Sequence, residues 1–349
     1  MTGKATASSL LEFPFDAEPP RGEAVAAAPG VGWVRLPLPI ALDHINVWLL
    51  GDYDERLIVD CGMADEETRA LWRQVFDGAL AGRTVSGVLV THMHPDHVGL
   101  AGWLVRHFDV ALTMPRTEYL MCRNLVADTG QPAPPEGLAF YRAAGFDEAQ
   151  LARYAERFGS FGDLVAPLPR AYERLKDGDT VAVGSARWEV IIGAGHSPEH
   201  ACLYNAQNNV LIAGDQLLPF ISPIVGVWPT EPDADPLEEF LASCRLLEER
   251  LPPDVLVLPS HGVPFRGAQA RLDKLVRHHE RALERLLAHC ATPRRAVDTF
   301  TALFRAPITE GLLIMATAEA LAHLNYLVAR GRLGVDRDEA GVCWYRAAG

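Results

Sequence analysis

Hydrophobic residues follow two spacings along the chain, and each spacing predicts one type of element. Short apolar runs bounded by Pro, Gly or Asp are typical of β-strands. They occur at Gly32–Leu38, Asn46–Leu50, Leu57–Asp60, Val85–Thr91, Val110–Met114, Thr180–Val183, Arg187–Ile192, Ala201–Asn205, Val210–Ala213 and Val255–Leu258. A helical spacing occurs at Glu66–Leu80, Leu100–His107, Leu237–Leu251, Leu272–His289 and Thr309–Arg330. This alternation of strands and helices predicts an α/β fold.

Three regions depart from the alternating pattern. Residues 1–30 are rich in Ala, Pro and Glu without periodicity, which predicts a loose arm. Residues 115–174 have helical spacing and a Pro-rich break, which predicts a helical insert. From residue 268 the chain predicts three helices, one of them capped by Thr292 with Pro293 at its first position, and then a two-stranded wing at Val335–Arg346. We therefore divide the chain into an arm (1–30), a main domain (31–267) and a winged-helix-like domain (268–349).

The charge of the chain is unevenly distributed and bears on its partners. Of the formal net charge of -13, residues 268–349 contribute +3, so the other 267 residues carry -16. An acidic main domain repels a polyanion, which disfavours nucleic acid as a partner. The six cysteines are scattered without a C-x-x-C pair, so they predict reduced thiols rather than a disulfide framework or zinc ribbon.

The ends of the chain and its apolar runs predict a cytoplasmic protein with no membrane partner. The apolar stretch Leu10–Phe15 is broken by Glu12 and Pro14, whereas a secretory signal needs an unbroken apolar segment. We find no run that approaches the length of a membrane-spanning helix.

The strongest chemical signal is the segment Thr91–His97, with the sequence THMHPDH, directly after a predicted strand. Four metal-capable side chains lie within six residues, although the whole chain has only 12 histidines. Because Pro95 is incompatible with a helix interior, the segment predicts a tight turn. Such a turn can direct His92 and His94 to one point, and Asp96 and His97 to another nearby.

This segment resembles the H-x-H-x-D-H signature of the metallo-β-lactamase superfamily. Later segments resemble the rest of the family pattern in the expected order: Val59–Gly62, Gly195–Ser197, Gly214–Asp215 and Pro259–Gly262. The resemblance covers about residues 32–267. It implies an αββα sandwich, here with the helical insert and the small, mainly helical, winged-helix-like C-terminal domain.

The resemblance also implies a site for two divalent metal ions, most often zinc, with iron or manganese as alternatives. It places His92, His94 and His196 on the first ion, Asp96, His97 and His261 on the second, and Asp215 between them. Asp96 is in addition the residue to which we assign catalysis. Water held at such a site loses a proton near neutral pH, so the resemblance implies hydrolysis by metal-bound hydroxide.

Other residues near the predicted ligands are given supporting or structural interpretations. Asp60 is interpreted as a hydrogen-bonding residue behind the ligands. His200 either supports the ligands or serves packing alone, and for His44 we favour a core histidine. Arg and Tyr side chains of the insert are interpreted as part of a lid over the substrate: Tyr119, Arg123, Tyr141, Arg142, Tyr154 and Arg157.

Several activities fit such a metal site. A small acyl substrate, namely a thioester, ester or lactone, is the first hypothesis. A nuclease is opposed by the acidic main domain, and a β-lactamase by the missing export signal. A flavodiiron-type reductase needs a flavodoxin domain, for which the chain has no room after Leu272. The C-terminal domain is too weakly basic to favour DNA, so we expect it to pack, to form a homodimer, or to close one side of the pocket.

Overall fold

A computed structural model describes residues 11–52 and 54–348. Twelve strands form two sheets. The first has the order β1-β2-β3-β4-β5-β6-β7 and the second the order β12-β11-β10-β9-β8. The strands of the first sheet are β1 (Ala24–Ala28), β2 (Val31–Pro37), β3 (His44–Leu50), β4 (Glu55–Val59), β5 (Thr84–Leu89), β6 (Leu112–Pro115) and β7 (Glu173–Leu175). Those of the second are β8 (Thr180–Val183), β9 (Ala186–Gly193), β10 (His200–Asn205), β11 (Val210–Gly214) and β12 (Leu256–Pro259).

The described residues form ten helices. They are α1 (Glu66–Asp77), α2 (Pro95–Val98), α3 (Ala101–Phe108), α4 (Arg116–Ala127), α5 (Pro135–Ala144), α6 (Glu148–Arg157), α7 (Pro236–Arg250), α8 (Ala268–His289), α9 (Phe300–Leu303) and α10 (Leu313–Ala329). Short 3₁₀ turns lie at Ser160–Leu164, Ala296–Thr299 and Glu310–Leu312. A separate hairpin pairs β13 (Leu333–Arg337) with β14 (Cys343–Ala347).

Three apolar layers hold the sheets and helices together. The layer between the sheets contains three fully buried tryptophans, Trp33, Trp48 and Trp188. A second layer joins the first sheet to α1 and α3, and a third joins the second sheet to α7 and α8. Because both faces of each sheet are covered, a strand such as β3 is buried at every position. The predicted αββα sandwich with a helical C-terminal region is confirmed.

The N-terminal arm is more ordered than the sequence predicts, from residue 11 onward. Ala24–Ala28 forms strand β1 and pairs antiparallel with β2, and Glu12 pairs with Arg266. Phe15 packs against Trp33 in the central layer. The prediction of a loose arm is therefore wrong for these residues, and its first ten residues lie outside the described part of the chain.

The C-terminal region differs from its prediction in two details. Helix α8 begins at Ala268 rather than Leu272. No helix begins at Pro293: Arg294 instead forms a bridge with Tyr345 of the hairpin, and the following 3₁₀ turn starts at Ala296. This region shares one continuous apolar layer with α7 and the second sheet, because α8 and α10 pack on α7.

One segment corrects the expectation about membranes. Glu310–Ala329 is a 20-residue helical segment that is long and apolar enough to cross a bilayer by length and composition alone. Half of it is buried inside the protein, where α10 packs on α7 and α8. A core helix meets the same criteria, so this is weak evidence for a membrane.

The insert between β6 and β7 is helical, as predicted, and its tyrosines Tyr119, Tyr141 and Tyr154 are buried. Tyr141 and Tyr154 are buried against each other with Phe146 and Leu151 in a small apolar cluster of their own. Tyr119 is buried and donates its hydroxyl hydrogen to carbonyl oxygens at residues 169 and 170. Their helical spacing reflects packing within the insert, and the interpretation of the insert as a lid over the substrate stays a prediction.

Candidate metal centre

All seven residues predicted as ligands lie together at one edge of the sandwich. The segments that carry them follow the ends of strands: β5 leads to the His92 segment, β11 to Asp215 and β12 to His261, while His196 lies between β9 and β10. Strands β11 and β12 are parallel, and so are β4 and β5. Carboxyl ends of parallel strands open at the same edge, which is where α/β proteins place their binding sites.

The first ligand segment is a turn followed by a single helical turn. Helix α2 begins at Pro95, where the missing N–H removes no hydrogen bond. His94 precedes the helix in an extended conformation, whereas Asp96 and His97 lie within it. The change of backbone direction at Pro95 sends the two pairs of side chains to different points, as the sequence predicts.

One group of ligand atoms consists of three imidazole nitrogens. His92 Nε2 lies 3.0 Å from His94 Nδ1 and 3.3 Å from His196 Nε2. These three side chains form a set whose ligand atoms all lie within 4.8 Å of one another. We call it the imidazole group.

A second set combines carboxylates with imidazoles. His261 Nε2 lies 3.3 Å from Asp96 Oδ2, and His97 Nε2 lies 3.6 Å from the same oxygen. Both nitrogens lie 3.4 Å from Asp215 Oδ1. We call Asp96, His97 and His261 the mixed group.

Asp215 stands between the two groups. Its Oδ1 faces His97 and His261, while its Oδ2 lies 3.5 Å from His196 Nε2. A single carboxylate thus presents one oxygen to each group.

Buried polar atoms of the mixed group and of Asp215 have no partner among the described residues. His97 Nε2, His261 Nε2 and Asp215 Oδ1 are fully buried without a hydrogen bond. Such atoms are costly unless something binds them. Four ligands held tetrahedrally at about 2.0–2.1 Å from zinc lie about 3.3 Å apart. The distances given above between pairs of ligand atoms, 3.0–3.6 Å, are close to this spacing, so the residues fit divalent metal ions.

Acceptors behind three imidazoles fix which nitrogen faces the centre. His196 Nδ1 lies 2.7 Å from the carbonyl oxygen of Ile224, and His261 Nδ1 lies 2.8 Å from that of His44. His97 Nδ1 lies 2.8 Å from the carboxylate of Asp60. These oxygens only accept, so each Nδ1 carries a hydrogen and each Nε2 faces the centre, where it can bind a metal once it holds no proton.

Asp60 orients two ligands at once. Besides holding His97, its carboxylate accepts hydrogen bonds from the backbone N–H and the hydroxyl of Thr91. The Thr91 oxygen lies 3.1 Å from His92 Nδ1. Because this hydroxyl donates to Asp60, it accepts from His92 and leaves His92 Nε2 free to bind. The interpretation of Asp60 as a hydrogen-bonding residue behind the ligands agrees with this geometry.

His200 and His44 both contact ligand segments. His200 Nε2 accepts a hydrogen bond from the backbone N–H of Asp215, at 3.0 Å. Its ring occupies the space where a side chain at Gly214 would begin, since a Cβ there would lie 2.4 Å from the ring. His44 Nε2 lies 2.8 Å from the N–H of Gly262. His200 therefore supports the ligands, and His44 does more than fill the core.

Glu118 is a residue that sequence reasoning missed. It is fully buried on α4, and its Oε2 accepts the backbone N–H of Met93 while its Oε1 accepts that of Glu199. It thereby joins the segment of His92 and His94 to the segment of His196. In the sequence it lies among the arginines and tyrosines of the insert, where no spacing marks it.

Without a metal, the mixed group and Asp215 contain ionised carboxylates beside protonated imidazoles. Burial would lower the pKa of His261, but Asp215 and Asp96 raise it to about 10. The pKa of His97 is likewise raised well above its usual range, because three carboxylates outweigh the effect of burial. The pKa of Asp215, which burial alone would raise, is held well below its usual range by His261 and His97.

Two histidines of the imidazole group, His92 and His94, are neutral instead. Burial and the neighbouring His196 lower the pKa of His94 to about 3. Burial and the surrounding imidazoles also hold the pKa of His92 well below its usual range. The nitrogens of these two side chains are therefore free to bind a metal over the whole physiological pH range.

Comparison with known proteins agrees with this geometry. The sequence model of the Metallo-beta-lactamase superfamily matches residues 40–261, and that of the Metallo-beta-lactamase-like, C-terminal domain matches residues 283–348. The chain is 26% identical over 309 residues to the "Probable metallo-hydrolase YqjP" of Bacillus subtilis, covering 85% of this chain and 91% of that protein. It is 22% identical over 258 residues to the "Acyl-coenzyme A thioesterase MBLAC2" of Gallus gallus, covering 72% and 83% of the two chains.

A solved structure resembles nearly the whole chain. The beta-lactamase domain protein from Burkholderia ambifaria is 40% identical, with a TM-score of 0.89 over 98% of this chain and 99% of that one. The chain belongs to the metallo-β-lactamase superfamily and is a metal-dependent hydrolase.

Proposed function

We propose that the protein binds two divalent metal ions and uses them to hydrolyse a small acyl substrate, with a thioester ahead of an ester or lactone. The observation that carries the proposal is the placement of Asp215, which presents one carboxylate oxygen to the imidazole group and the other to the mixed group. Zinc suits such nitrogen and oxygen ligands best, and iron or manganese are the alternatives.

The ligands and the residues behind them prepare the site for this chemistry. When bound, the metals supply a nucleophile at neutral pH by lowering the pKa of water, and they polarise the carbonyl oxygen of the substrate. The imidazole group would hold one ion and the mixed group the other, with Asp215 presenting one oxygen to each. Asp60, Ile224 and His44 keep the ring nitrogens of three histidines aimed at the centre, so little rearrangement is needed during the reaction.

Two observations favour an acyl substrate. The first 267 residues carry a net charge of -16, and a site for a long phosphate backbone needs the opposite sign. The relative in Gallus gallus is named an acyl-coenzyme A thioesterase. A carbonyl substrate suits the metal chemistry and avoids the electrostatic cost of binding a nucleic acid.

The test is a panel of substrates with protein loaded with a defined metal. Acyl-thioesters, lactones, β-lactams, single-stranded RNA and single-stranded DNA are compared by kcat/KM. The control is His94→Ala, which removes one imidazole ligand and should abolish any activity that belongs to this site.

We expect acyl-thioesters to be the best substrates, with turnover lost in His94→Ala. Nuclease or β-lactam turnover that is lost in the same variant, without acyl hydrolysis, would overturn the acyl assignment. Acyl hydrolysis that persists unchanged in His94→Ala would show that the activity does not come from this site.

A further inference from the structure

Between strand β11 and helix α7 the chain runs from Asp215 to Asp235 without a helix or strand. This connection, which we call the β11–α7 loop, carries two parts of the metal centre: Asp215 at its start and the carbonyl oxygen of Ile224, which holds His196. Long irregular connections in compact domains are usually functional, and their buried backbone groups need partners from elsewhere.

Helix α8 of the C-terminal region supplies such partners through Arg271. Only 3% of this residue is exposed. Its Nε donates to the carbonyl oxygen of Leu218 at 2.6 Å, and its Nη2 donates to that of Ile221 at 2.5 Å. Both carbonyls lie between Asp215 and Ile224. A planar guanidinium can hold two acceptors at a fixed spacing, which a lysine cannot do.

Burying this charge has a cost, and that cost bears on the role of Arg271. Burial lowers the pKa of the Arg271 guanidinium to about 10, so it remains charged at neutral pH although it has lost hydration. A buried arginine whose N–H groups go to backbone carbonyls stabilises the conformation of that backbone rather than the core in general.

Two more links tie the same loop to the C-terminal helices. Ser222 Oγ lies 3.2 Å from Nε2 of His279 on α8, and His279 Nδ1 lies 3.2 Å from Nε2 of His323 on α10. Burial lowers the pKa of both histidines, so both are neutral. This chain of hydrogen bonds therefore does not require a positively charged imidazole. The backbone N–H of Val227 donates to the carbonyl oxygen of Ala318 on α10.

From these contacts we propose that the C-terminal region positions the metal centre, with Arg271 as the positioning residue for His196. Arg271 fixes the loop at Leu218 and Ile221, and the loop in turn places the Ile224 carbonyl that keeps His196 Nε2 directed at the imidazole group. The proposal rests on the proposed metal function. It gives the C-terminal region a role in the site that packing alone would not require.

The experiment compares three variants. Arg271→Met removes the hydrogen-bond donors and keeps an extended side chain. Arg271→Lys keeps the positive charge but not the planar guanidinium that holds both carbonyl oxygens. The control is Arg285→Met on the same helix: Arg285 also donates to backbone carbonyls, those of Arg281 and Ala302, but it is exposed and holds no part of the β11–α7 loop. Three readouts need no substrate: amide hydrogen exchange, histidine NMR and the rate of zinc loss to a chelator.

In metal-free Arg271→Met we expect exchange at residues 216–228 to rise about tenfold, with the rest of α8 unchanged. The NMR signals of His196 should report a mixture of tautomers instead of the Nδ1–H form alone. Zinc should be lost roughly 10-fold faster from the loaded variant. Arg271→Lys should lie between this variant and the wild type, and Arg285→Met should match the wild type.

Unchanged exchange, tautomer and zinc retention in Arg271→Met would overturn the proposal. So would exchange that rises equally across α8 and α10, because it would assign Arg271 to general stability. A wild-type protein without acyl hydrolysis would contradict the proposed substrate only, since these three readouts would still decide the role of Arg271.

Discussion

The two halves of the metal centre differ in what they hold before a metal arrives. In the imidazole group, burial keeps His92 and His94 neutral, so their nitrogens can bind a metal without first losing a proton. In the mixed group, the carboxylates of Asp96 and Asp215 raise the pKa of His97 and His261, and protons take the place of metal charge. Similar ligand spacing in the two groups therefore conceals a different response to pH.

The difference follows from where the acidic residues lie. Three carboxylates act on His97, namely Asp60, Asp96 and Asp215, whereas the chief neighbours of His92 are other histidines. A dication can replace two protonated imidazoles among these carboxylates at little cost in charge balance. The mixed group therefore exchanges protons for metal, whereas His92 and His94 bind metal directly.

Removing the shared carboxylate should have the largest effect, because it serves both groups. Asp215→Ala should lower kcat/KM on the order of 10³-fold, which corresponds to about 4 kcal/mol of lost transition-state stabilisation. Steady-state kinetics with the best substrate of the panel measures it. Asp336→Ala, at an exposed position on β13, is the control and should keep wild-type activity. Near wild-type turnover in Asp215→Ala would remove the central role from this residue.

Changing the pH should separate the two groups. Stability of the metal-bound mixed group requires loss of protons from groups whose pKa is raised, so its metal affinity should rise with pH up to about 10, the pKa of His261. The increase should be up to roughly tenfold per pH unit for each proton displaced. His92 and His94 are already deprotonated, so they add no such dependence.

Single-site variants provide the measurement. His94→Ala leaves the mixed group and His261→Ala leaves the imidazole group, and zinc affinity is measured for each by competition with a chelator between pH 6 and 9. The slope should be steeper in His94→Ala. Equal slopes in the two variants would contradict the charge difference between the groups.

A smaller effect on zinc affinity is expected for Glu118, which connects the segment of His92 and His94 to that of His196 but is not itself a predicted ligand. In Glu118→Gln one acceptor oxygen remains, but the amide nitrogen faces a backbone N–H, so either Met93 or Glu199 loses its partner. Zinc affinity of the imidazole group should fall roughly 10-fold. Glu136→Gln, at an exposed position of helix α5, is the matched control and should bind zinc as the wild type does. An unaltered affinity in Glu118→Gln would limit Glu118 to a role in packing.

The sequence predicts the grouping of the candidate ligands because their chemistry is local. His92, His94, Asp96 and His97 lie in one segment, and the other three ligands lie at strand ends that apolar runs reveal. Parallel pairing aligns the strand ends within each sheet, and packing of the two sheets on each other then brings the segments together at one edge. Residues that act through distant backbone contacts, such as Glu118 and Arg271, leave no comparable pattern in the sequence.

The errors in the fold have physical causes of the same kind. Ala24–Ala28 has the weak strand propensity of alanine, and it becomes a strand because β2 offers an open edge for pairing. A Thr–Pro pair at 292–293 is a local helix signal, but Arg294 gains hydrogen bonds to Tyr345 instead. In both places a tertiary contact outweighs the local preference.

The central claim is that the two groups form two metal sites joined by Asp215, and the zinc content of the protein tests it most directly. Metal-free wild type, His94→Ala and His261→Ala are titrated with zinc, and bound metal per chain is measured by elemental analysis after removal of free zinc. Two ions in the wild type and one in each variant are predicted. Saturation of the wild type at one ion, with all seven ligands intact, would contradict the account.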